Sequence, residues 1–408
     1  MPNSFNLKKW FQFGLISLLI VALYGTTMRY KIAFNFPYLE QKNLLHAHSF
    51  FGFNGWISHI IYCGFAYIIF PYLPVAKQKK YYFFIAANLI CAFISLVAFT
   101  ILGYKLIAIL LSSLVVFVNI FFTIAFINDS KFLPKENTSK PWAIAGLLLN
   151  VLSAVGPACL AYIILSKNFS HNFYLGSVYY HLHFQQNGWF FFGGMAMVAS
   201  ILPKNFPSLK KYFNAFILTV IPAFLLSILW AKLPIWLYVI AVIAVVIQFI
   251  AWMHLVYTGY TILRKEKINN TPKWVNIFFY AAALALTIKF ILQTISVIPS
   301  LSQMVYGFRP IIIAYIHLIL LGVFSLFIIG YMFYRKFLLP TVVLQFATIS
   351  FLIGVILNEL VLSIQGFAAL TYTPVPYINE ILFGVALILF ISILLVNIFR
   401  KSSTEINA

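Results

Sequence analysis

Apolar residues run in long, nearly unbroken stretches along the whole chain, and polar residues gather in the short gaps between them. Stretches near 12–28, 44–70, 81–103, 105–128, 141–166, 177–202, 212–231, 234–263, 274–300, 311–334, 341–366 and 376–399 are each long enough to cross the hydrocarbon core of a bilayer. Lipid offers no hydrogen bonds to an open backbone, so continuous apolar stretches of this length must be helices. Nothing between them is long enough to fold as a water-soluble domain. The pattern predicts an all-α membrane protein: a single polytopic domain over 1–408 with about twelve transmembrane helices.

Polar residues inside the apolar stretches are few, and they are not scattered. The second stretch opens on His46-Ala47-His48-Ser49-Phe50-Phe51-Gly52-Phe53-Asn54-Gly55-Trp56, and the sixth carries His181-Leu182-His183-Phe184-Gln185-Gln186-Asn187-Gly188-Trp189. With His48 set on His181, both read H-x-x-F-x-x-N-G-W. A weaker third copy lies in the tenth stretch. There Ala314-Tyr315-Ile316-His317 parallels Tyr180-His181-Leu182-His183, and Gly322 falls on Gly188. Spans two, six and ten are four apart, which predicts a threefold pseudo-repeat of four helices over about 12–128, 141–263 and 274–399.

Composition agrees with this reading. The chain is 63% hydrophobic and 8% charged, against roughly 25% charged in a soluble protein. A formal net charge of +20 would point to nucleic acid in a soluble protein, but here the basic residues sit in alternate loops, so no nucleic-acid partner is expected and the bilayer is the partner. Lys8 and Lys9 precede the first span; Lys77, Lys79, Lys80, Lys131, Lys135, Lys140, Lys204, Lys210, Lys211, Arg264, Lys265, Lys267, Lys273, Arg335, Lys336, Arg400 and Lys401 lie on the same side. The opposite side carries Arg29, Lys31, Lys42, Lys105, Lys167, Lys232 and Arg309. Both termini are therefore expected in the cytoplasm. The first span ends at Tyr24-Gly25-Thr26-Thr27-Met28-Arg29, which reads as an uncleaved exit. The three cysteines are far apart and read as packing residues.

Given that orientation, His46, His48, His181, His183 and His317 all fall in about the outer third of the bilayer, at about 1.5 Å of rise per residue. Imidazoles in a membrane are costly and mark function, and imidazole is the usual ligand of transition metals and haem iron. Residues at i and i+2 point about 200° apart, so one histidine of each pair can serve one cavity and its neighbour another. Bonding between helices is the simpler use of a single membrane histidine. Gly55 and Gly188 suit either close helix packing or a flat macrocycle against the helix. Lys289, Glu359, His59 and His254 are further intramembrane polar groups and candidates for a proton path, while His171 reads as a loop residue.

Helix number, the three-times-four pattern and the histidines of spans two, six and ten resemble subunit I of the haem–copper oxidases. The His46-Ala47-His48 element is also similar to that of NnrS-type membrane haem–copper proteins. The resemblance implies a haem, of b type, held by His46 or His48 from span two and His317 from span ten. It further implies a second metal site at His181 and His183, with copper as the metal. Electron transfer, or handling of nitric oxide or oxygen, would follow, with other respiratory-chain subunits or an electron donor as partners and the bacterial cytoplasmic membrane as location. The family's adjacent histidine pair after the sixth helix has no counterpart in 212–231, and span ten offers Tyr315 with His317. Oxygen reduction at a three-histidine copper site is therefore not expected. Two other classes fit the same composition: a multi-pass transporter or channel with a histidine-lined metal or solute site, and a cofactor-free accessory subunit of a respiratory complex. Transporter repeats are usually inverted or come as six-helix halves, whereas this repeat is parallel and four helices long.

Overall fold

Each predicted span is helical in the computed structural model, which describes residues 4–167, 169–203, 206–263, 272–301 and 308–400. Lys204, Arg264, Lys265, Lys267 and Lys401 of the charge pattern lie outside the described residues. Among the described residues, eleven helices are long and apolar enough to cross a membrane: α1 Leu7–Ala33, α2 Gln41–Tyr72, α3 Val75–Leu102, α4 Leu106–Phe132, α5 Ser139–Ser166, α7 Lys210–Ala231, α8 Ile235–Ile262, α9 Lys273–Ile295, α10 Arg309–Tyr334, α11 Val342–Leu370 and α12 Ile378–Phe399. One further helical rod, α6 over 171–199, is of similar length. Its histidines, glutamines and Asn187 make it more polar than the rest, and its second half is buried among protein side chains.

Burial separates α2 from the other spans. Its most apolar window is 83% buried, against 28–44% for the other ten. The second halves of α2, α6 and α10 are almost wholly buried, through Trp56–Ile69, Phe184–Ala199 and Leu318–Phe333, whereas their histidine-bearing first halves are largely half-buried. Three helices thus pack tightly at one end of the molecule and more loosely at the other. The remaining helices surround them, with α1 packed on α12 and α12 on α11.

The central three share a local feature that residue pattern does not reveal. Each breaks from α into π-helix: Gly52–Ser58, Phe184–Phe190 and Leu318–Ser325. A π turn holds one extra residue and redirects everything after it, and such turns concentrate at functional sites. The three segments coincide, within a residue, under the histidine alignment. Side chains satisfy the disturbed backbone: Asn54 Nδ2 donates to the Phe50 carbonyl at 3.1 Å, Asn88 Nδ2 to the Asn54 carbonyl at 3.0 Å, and Ser325 Oγ to the Leu320 carbonyl at 2.9 Å.

The repeated tryptophans join these helices in a cycle. Trp56 Nε1 of α2 donates to Ser325 Oγ of α10 at 3.0 Å, and Trp189 Nε1 of α6 donates to Ser58 Oγ of α2 at 2.8 Å. In the alignment the third contact, from α10 to α6, pairs Val323 with Phe191 where the others have tryptophan and serine. Both polar partners are absent together, so no indole N–H is left unmet at this interface. Phe190 against Phe324 (ring centroids 5.5 Å apart) packs this third interface. Two of the three aligned glycines serve helix packing: a Cβ on Gly188 would lie 2.9 Å from Leu149 Cβ of α5, and one on Gly322 would lie 3.2 Å from Ala285 Cβ of α9, whereas one on Gly55 would meet the Phe51 ring of its own helix at 2.6 Å. Protein side chains therefore occupy the face that a macrocycle would need at Gly188.

Candidate functional site

The histidines sit where the central helices loosen. His48 Nδ1 lies 3.1 Å from the Val21 carbonyl of α1, and the site of a Cβ on Gly25 is 3.3 Å from His48 Cε1. His181 Nδ1 lies 3.1 Å from the Ser153 carbonyl of α5, and a Cβ on Gly156 would come 2.8 Å from His181 Cβ. The two aligned histidines thus occupy equivalent sockets, each made by a carbonyl and a glycine of the helix that opens its repeat. His317 Nδ1 is 2.8 Å from the Ile313 carbonyl of its own helix.

These bonds decide the tautomer. A carbonyl only accepts, so Nδ1 carries the proton in all three rings and Nε2 keeps a lone pair. That lone pair has no hydrogen-bond partner among the described residues. A ring held by one N–H on a backbone carbonyl, with the other nitrogen free, is the usual preparation of a metal-ligating histidine. His48 and His317 also lie within electrostatic range of each other and of the Arg29 guanidinium. Arg29 is one helical turn beyond Gly25, on the face of α1 that meets His48.

The second member of each pair behaves differently, as the divergence of i and i+2 requires. His46 turns away from α1 toward Tyr104 (ring centroids 5.1 Å) and Phe99 (6.3 Å), and its Nε2 is buried without a partner. His183 Nε2 donates to the Val220 carbonyl of α7 at 2.8 Å, which leaves Nδ1 to accept from Asn187 Nδ2 at 3.2 Å. Both nitrogens of His183 are engaged, so this arrangement offers a metal no lone pair there. Among the described residues no three His, Cys, Asp or Glu side chains converge as a metal-binding group.

The candidates for a proton path occupy four separate places. Wholly buried His59 bonds through Nε2 to the Trp10 carbonyl at 2.9 Å. His254 is exposed on α8 and pairs with Tyr212 Oη of α7 at 2.6 Å. Lys289 Nζ bonds to Gln293 Oε1, and Gln293 Nε2 reaches Gln248 Oε1 at 2.8 Å. Glu359 Oε1 accepts from Asn358 Nδ2 at 3.0 Å. No hydrogen bond joins any of the four to another among the described residues.

The most extensive polar network among the described residues joins side chains that the sequence pattern does not single out. Gln185 Nε2 donates to Asn150 Oδ1 (2.9 Å) and Ser153 Oγ (2.8 Å), Asn150 Nδ2 donates to Tyr62 Oη (3.1 Å), and the Tyr62 hydroxyl donates to Asn119 Oδ1. It ties α2, α4, α5 and α6 together, and its Ser153 also carries the carbonyl that holds His181. Buried carboxamides in apolar stretches were the available signal. Arg29, in sequence one of the charges flanking the first span, stands on the face of α1 that meets His48. The chain matches no model of a known protein family and no curated protein.

Proposed function

We propose that this protein is a haem-binding membrane protein of the haem–copper oxidase subunit I kind, in which His48 and His317 would hold a b-type haem. The observation that carries the reading is their shared preparation: each ring is oriented by an Nδ1–H bond to a carbonyl, and each keeps an Nε2 lone pair on neighbouring central helices. When bound, the haem would supply one-electron chemistry, which fits electron transfer or the handling of nitric oxide or oxygen. The carbonyls of Val21 and Ile313 fix the tautomers, and Arg29 adds positive charge nearby.

His181, in the socket equivalent to that of His48, belongs to a second site at α6. With both His183 nitrogens engaged, the donor set there does not match a three-histidine copper centre, and no step is routed through copper. The asymmetry of basic residues favours cytoplasmic termini and, with the resemblance, the bacterial inner membrane, where a respiratory electron donor or partner subunit would dock.

Pyridine-haemochrome analysis and reduced-minus-oxidised spectra of protein produced in haem-replete membranes test the reading. Stoichiometric b-type haem is expected, lost in His48→Ala and in His317→Ala and kept in His183→Ala. Haem-free wild-type protein would overturn it, and so would an unchanged spectrum in either of the first two variants.

A further inference from the structure

Lys289 is 3% exposed and lies within the bundle on α9. Its ammonium has two electronegative partners: Gln293 Oε1 one turn along the helix, and the Phe290 ring, whose centroid is 4.1 Å from Nζ. An amide oxygen and an aromatic face are partners for a cation. Two of the three Nζ hydrogens have no acceptor among the described residues. No carboxylate lies within ion-pair distance there either, since the described ion pairs join Lys77 and Lys80 to Asp129. A buried charge with neither counter-charge nor full hydrogen bonding is strongly unfavourable.

The surroundings supply a second donor. Gln293 uses its amide nitrogen on Gln248 Oε1, so it fixes the orientation of Gln248, whose own Nε2 has no partner among the described residues. Gln248 and Gln293 are themselves 3% and 6% exposed. Phe290 is hemmed in by Phe191, Phe216 and Trp252, with centroids 5.7–6.0 Å away, so a ligand beside Nζ would have to be small. We propose that Lys289 and Gln248, positioned by Gln293, bind a small inorganic anion of the halide or nitrate class between α8 and α9. The anion supplies the missing charge and accepts the unmet N–H groups. This site is independent of the haem reading.

The test is thermal unfolding of the full-length protein in nanodiscs, titrated with bromide against gluconate at constant ionic strength. The wild-type midpoint should rise and saturate with bromide. Gln248→Leu should weaken the apparent bromide affinity by about tenfold or more, as loss of one partner of a buried charged hydrogen bond does. Lys289→Met should abolish the response. A wild-type midpoint indifferent to bromide overturns the proposal, as does an unaltered response in Gln248→Leu or Lys289→Met. If Lys289→Met does not fold, the wild-type and Gln248→Leu titrations still decide.

Discussion

Trp56 and Ser325 are far apart in sequence yet share a hydrogen bond in the dry centre of the bundle, and Trp189 and Ser58 repeat the arrangement. Bonds of this kind between membrane helices contribute modestly, because the dissociated helices find other partners in the bilayer. A double-mutant cycle on Trp56→Phe and Ser325→Ala should therefore give a coupling of about 0.6 kcal/mol, and no more than about 1.7. Reversible unfolding in bicelles measures it, and a coupling near zero would show that indole packing alone holds the contact. The motif H-x-x-F-x-x-N-G-W was plain in the sequence. What each letter does was not, because the partners of the tryptophan and glycine are on other helices: Ser325 and Ser58 for the indoles, Leu149 for Gly188. Nor could spacing say which nitrogen of each ring carries the proton, since the carbonyls of Val21, Ser153 and Val220 decide that.

At the level of elements, apolar run length located the helices to within a few residues at most ends. It could not show the π turns, which leave hydrophobicity unchanged and alter only the angle at which later residues emerge. In α10 the π segment Leu318–Ser325 lies directly between His317 and the half of the helix that packs on α2 and α6. Deleting Leu321 should convert it to plain α-helix and turn His317 by about 100° relative to Phe324. The protein should still insert, since the span keeps its length and apolarity, but the bis-histidine haem spectrum should be lost. A retained spectrum would show that the π turn does not aim His317.

For the whole molecule, the basic residues make a prediction that the helix packing does not: a fluorescent protein fused after Ala408 should be bright and a phosphatase fusion there inactive, as for a cytoplasmic C-terminus. The reverse result would invert the histidine layer to the cytoplasmic side. Motif similarity in span ten is joined by local features the three helices share: each has a buried second half and a π segment, and the Trp-to-Ser contact occurs twice, with apolar packing where a third would fall. Sequence alone determined that this is a bundle of membrane helices, because a bilayer leaves an apolar chain no other way to satisfy its backbone, and it marked the helices that carry the aligned histidines. Tertiary structure decided which nitrogen of each imidazole is bonded. For His48, His181 and His183 one partner is a carbonyl on another helix, whose place no pattern along the chain encodes.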